Sequence, residues 1–139
     1  MASFNKFQPF VENLAEKVFN LGSDTLKALL TNSAPAAANG VKSDLTEISS
    51  GNGYTAGGAT ASISSSAQTS GTYKLVLGDV TITASGGSIG PFRYAVLYDD
   101  TAASDQLIGF WDYGSSITLA DGESITVDFD ASAGVLTIA

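Results

Sequence analysis

Apolar positions along this chain change spacing once, from steps of three and four residues to steps of two. From Phe7 to Leu21 they recur as Phe7, Phe10, Val11, Leu14, Val18 and Leu21, which places one apolar stripe along a helix. Asn5, Glu12, Asn13, Glu16 and Lys17 fall mainly on the other side. Pro9 suits the first turn, where its missing N–H costs least, and Gly22 is a suitable stop. The segment 1–22 therefore reads as an amphipathic helix, packed on its own domain or reaching out as an arm to a neighbouring subunit.

Residues 25–31 (TLKALLT) read as a strand, with a helix extension capped by Ser23-Asp24 as the competing reading. An Ala-rich loop broken by Pro35 follows, then a short helical turn over 42–49 (KSDLTEIS). Residues 51–71 are the least regular stretch, rich in glycine and hydroxyl groups. They suit either a low-complexity linker or a long loop or edge strand held by surrounding structure. Tyr54 and Ile63 supply apolar anchors and favour the ordered loop, and a loop of that length in a compact domain tends to serve contact with a partner.

From Tyr73 onward the period is two. Tyr73, Leu75 and Leu77 share a face, and Val80 and Ile82 continue after Gly78-Asp79. Phe92, Tyr94, Val96 and Tyr98 alternate with Arg93, Ala95 and Leu97, and Leu107, Gly109 and Trp111 with Ile108, Phe110 and Asp112. Ile117 and Leu119, then Ile125, Val127 and Phe129, then residues 135–138 give further strands, with turns at 86–88, 120–123 and 132–134. The expected fold is mainly β, an antiparallel β-sandwich or jelly-roll-like barrel with one N-terminal amphipathic helix. A length of 139 residues suits one domain over 1–139, with 23–139 as its β-rich body.

Composition narrows the chemistry. Charged residues make up 14% of the chain, against about 25% in ordinary domains, so its surface is built from Ser, Thr, Asn and Gly. The net charge of −8, with six basic residues, disfavours nucleic acid, whose phosphates need clustered Lys and Arg. It disfavours an anionic membrane surface for the same reason. No run of apolar residues reaches a membrane span of about 18, and Glu12, Glu16 and Lys17 stand where a signal peptide needs an apolar core. The chain has no Cys and no His, which removes thiol nucleophiles, the His-dependent triads and the commonest metal ligand.

The carboxylates at Asp99, Asp100 and Asp105, at Asp121 and Glu123, and at Asp128 and Asp130 fit solvated turns better than a sugar cleft or a cation site. No catalytic, cofactor or metal residue emerges, and the chain is expected not to be an enzyme. The aromatic residues of 92–113 read as core and subunit interface, with a sugar-binding platform as the lesser reading. Candidate partner contacts are Phe4, Phe7 and Phe10 in the N-terminal segment, Tyr54 and Ile63 in the 51–71 stretch, and Trp111 and Tyr113.

Four segments carry a resemblance: 4–35 (FNKFQPFVENLAEKVFNLGSDTLKALLTNSAP), 47–61 (EISSGNGYTAGGATA), 83–101 (TASGGSIGPFRYAVLYDDT) and 107–130 (LIGFWDYGSSITLADGESITVDFD). Together they resemble small virion structural proteins of tailed phages. The resemblance implies a head decoration or cement protein, made in the host cytoplasm and carried on the capsid surface of the virion. Its partner would be the major capsid protein, and it would act as a trimer or dimer. A tail or head–tail connector protein is the alternative, and a carbohydrate-binding module a further one. No catalytic residues or cofactors come with the resemblance.

Overall fold

The computed structural model describes residues 2–139. Strand accounts for 47% of the chain and helix for 8%, so the mainly β, antiparallel expectation with one helix near the N-terminus holds. In chain order the elements are β1 (Phe4–Lys6), α1 (Gln8–Ala15), β2 (Leu26–Thr31), β3 (Ala59–Ala61), β4 (Ile63–Thr69), β5 (Thr72–Leu77), β6 (Val80–Thr83), β7 (Ile89–Asp99), β8 (Leu107–Leu119), β9 (Ser124–Val127) and β10 (Leu136–Ile138). They form a five-stranded sheet in the order β1-β8-β7-β2-β3, a three-stranded sheet β10-β5-β4 and a pair β6-β9, a sandwich-like arrangement.

The helix is shorter than its stripe. It starts with Pro9 in its first turn and ends at Ala15. Lys17 adopts φ 68°, its N–H bonds Leu14 O, and the Val18 N–H reaches back to Asn13 O. This left-handed reversal closes the last turn, so Val18 and Leu21 lie beyond the helix and Gly22 does not stop it. Residues 26–31 form a strand, as expected, because they pair with β7 on one side and β3 on the other. The turn expected over 42–49 shrinks to a single 3-10 turn at Lys42–Asp44. The stretch 51–71, expected as an ordered loop or edge strand, contains the edge strands β3 and β4, and β4 forms a hairpin with β5. Ser70 and Gly71, at φ 51° and 86°, make its two-residue turn.

β7 is central, with β8 and β2 as neighbours, and its residues 94–99 are buried on both faces. A simple alternation therefore does not separate inside from outside there. β8 runs unbroken for 13 residues, where two shorter strands were expected. Gly109 lets β1 lie close: a Cβ there would fall 2.1 Å from the Phe4 ring. One core cluster joins α1 to strands of all three sheets, with Leu26, Leu29, Leu75, Phe92, Leu97, Ile108 and Phe129 at its centre.

Candidate functional site

The seven candidate contact residues separate by burial. Phe7 is fully buried at the head of α1, its ring 5.2 Å from Phe110. Phe10 is buried against Phe19, also at 5.2 Å. Tyr54 is buried, its hydroxyl accepting the Leu30 N–H at 3.0 Å and donating to Glu47 Oε1 at 2.6 Å. Burial and the Glu47 carboxylate push its phenol far above the ordinary range, so it stays protonated. Trp111 is buried between Phe4 and Phe129, each centroid 5.3 Å away. These four are corrected from partner contacts to core. Closing their side chains inside the domain removes more apolar surface from water than a single-sided contact would.

Phe4, Ile63 and Tyr113 remain half-buried. Phe4 lies on β1 opposite Trp111, Ile63 opens β4, and Tyr113 follows the β8 core positions. Burial raises the Tyr113 phenol to about 12. Phe4 and Tyr113 lie on the neighbouring strands β1 and β8, while Ile63 lies in a different sheet. Enclosure of the Trp111 indole takes away the flat ring on which the carbohydrate reading depended.

The carboxylates serve the backbone. Asp44 Oδ2 accepts the Gly40 and Val41 N–H groups, which hold its carboxyl below the usual range. Asp121, Glu123 and Asp128 accept N–H groups at turns, and Asp130 accepts those of Ser132 and Ala133. Asp79 accepts the Phe129 N–H. Asp112 forms a two-pronged pair with Arg93 at 2.7 and 3.0 Å and also accepts the Gly114 N–H. Among the described residues no three Asp, Glu, His or Cys side chains converge on a metal position.

Asp99 is the exception, and grouping it with a solvated loop misses it. It is fully buried at the end of β7. Oδ1 accepts the Thr101 and Ala102 N–H groups, while Oδ2 finds no donor. Burial first, and then the adjacent Asp24 carboxyl, push Asp99 up to about 7. Two carboxylates are both acceptors, so a proton on Asp99 is what can join them. The sequence signal was available only weakly: Asp99 directly follows the uncharged run 94–98 (YAVLY).

Next to this pair lies an open groove of about 550 Å³, lined by Leu14, Val18, Leu21, Ser66, Tyr73 and Ile138, with Asp24 and Thr101 at its wall. Ile138 is one of two large apolar residues exposed among those described, the other being Val11. A second cleft of about 360 Å³ flanks Trp111 and contains Asp128 and Asp130. Both of those carboxylates already cap a turn. No family model, curated protein or solved structure matches this chain.

Proposed function

We propose that the protein is a non-enzymatic structural component of a phage virion, acting as a decoration or cement protein on the capsid surface. The observation that carries the non-enzymatic half is the employment of its acids: the chain has no His or Cys, and most of its carboxylates accept backbone N–H groups. The virion half rests on the four segments that resemble small virion proteins. A low share of charged residues suits lattice contacts, and a net charge of −8 keeps the outer face soluble.

Function on this reading is multivalent. Each copy touches the major capsid protein through a modest area, and repetition over the shell raises the effective affinity without any single tight contact. The test is sedimentation of the purified chain with purified phage heads. The chain is expected to co-sediment with expanded shells and to stay in solution with free capsid subunits. Absence from purified heads, together with particles that lack tails when the chain is missing, would replace this reading with a tail or connector role.

A further inference from the structure

The longest strand lying wholly at the outer edge of a sheet is β4. It is the outer strand of the sheet β10-β5-β4 and is seven residues long, whereas the edge strands β1, β3 and β10 have three each and β6 and β9 four each. A register shift is confined to Ile63–Ser65, and pairing with β5 is regular from Ser65 to Thr69. In a two-residue hairpin closed by Thr69 and Thr72, Thr69, Ala67 and Ser65 bond inward to β5. The N–H and C=O groups of Ser66 and Gln68 then point away from the sheet. Proteins usually blunt such an edge with Lys, Pro or a bulge along its length. None of the residues 63–69 (ISSSAQT) is charged or Pro.

Charge decides the occupant. The chain carries −8 overall, yet the whole hairpin 62–77 holds one charged residue, Lys74, and its Nζ is occupied by Ser132 O at 3.0 Å. A charged partner would find no counter-charge on β4. A second copy of the same chain, strongly acidic elsewhere, finds here a stretch where like charges do not meet. We infer that two copies of this protein associate edge to edge through β4, antiparallel about a two-fold axis, exchanging backbone hydrogen bonds at Ser66 and Gln68.

The two three-stranded sheets then become one sheet of six, β10-β5-β4 followed by its mirror order in the partner. Such an interface is self-complementary and closes at two copies. A short edge alone falls below the ~800 Å² per partner of a typical stable interface. The adjoining groove, where the row Gln68–Tyr73–Ile138 crosses the same sheet face, supplies apolar area beside it. This inference deepens the assembly reading above and adds to it a definite stoichiometry.

Sedimentation of the purified full chain over a dilution series tests it. The expected species is a dimer in equilibrium with monomer. Ala67→Glu sets like charges near the two-fold and is expected to raise the dissociation constant about tenfold or more. Ser66→Pro removes an outward donor that β5 does not use and is expected to do the same, with an unchanged far-UV spectrum reporting the fold. Ser115→Glu, an exposed position on another sheet, is expected to leave association unchanged. A chain that remains monomeric up to about 1 mM, forms a trimer, or dimerises equally with Ala67→Glu in place overturns the inference. Co-sedimentation with heads is read separately: a monomer that binds shells overturns only the edge pairing, and a dimer that ignores shells overturns only the decoration role.

Discussion

Asp99 ends β7 with one oxygen bonded to two backbone N–H groups and the other without a donor. Its carboxyl, raised from 3.8 to about 7, keeps its proton in the folded chain while the unfolded chain has already lost it. The stability this group contributes is therefore complete below about pH 4, falls as pH rises, and is gone above about 7. Asp99→Asn reproduces the protonated group and can still donate to Asp24. Urea denaturation at a series of pH values is expected to show that decline between pH 4 and 7 in the natural chain and its loss in the variant. Asp44 and Asp112, whose carboxyls are lowered, act in the opposite direction and only at more acid pH. Trp111 gives a second test at this scale. Because it is 5% exposed and packed between two rings, Trp111→Ala is expected to cost about 3–5 kcal/mol of stability by circular dichroism. A platform residue would cost little.

At the scale of elements, α1 shows where a periodic pattern overreaches. The three-and-four spacing continues to Leu21, but helix ends after Ala15, and Phe19 and Leu21 reach the core from an irregular segment. Of the stripe, Phe7, Phe10 and Leu21 are buried while Val11 is exposed, so apolar spacing marks neither burial at every position nor a chain that stays helical between them. Lys17 holds the left-handed position that closes the helix, a conformation that suits Gly better by roughly 1 kcal/mol. Part of that gain is lost to the freer unfolded chain. Lys17→Gly is thus expected to stabilise the protein by about 0.5 kcal/mol, readable as a higher urea midpoint. The strands β6 and β9 were legible because each leaves one face wet, as Thr81 and Thr83 do against Thr126 and Ser124. β4 was legible only as an unplaced edge-strand option within 51–71, since Ser, Ala, Gln and Thr carry almost no apolar alternation.

For the molecule as a whole, a single core cluster spans the helix and all three sheets. Unfolding is therefore expected to be one cooperative transition. Fluorescence of Trp111, the chain's one tryptophan, reports the β1–β8 side, and far-UV circular dichroism reports all strands. The two curves are expected to superimpose in urea, and separated midpoints would show that the hairpin sheet melts independently. The same continuity gives the assembly reading its physical form. A rigid body presents β4 and the neighbouring groove in fixed relation, so ordering costs at a contact are small.

The sequence by itself determined the class of the fold and the kind of chemistry left to the chain. Period-two alternation from Tyr73 onward and a glycine-rich turn vocabulary dictate antiparallel strands, and the absence of His and Cys follows from counting. Only the tertiary structure decided which apolar side chains are core and which face outward. Phe7, Phe10, Tyr54 and Trp111 are as apolar as any contact residue, and their burial depends on strands up to a hundred residues away, as in the pairing of Phe4 with Trp111. It also decided that Asp24 and Asp99 meet, because β2 lies beside β7 with Leu26 opposite Asp99. Local pattern reports how each residue treats water, while the neighbours that exclude the water come from long-range pairing.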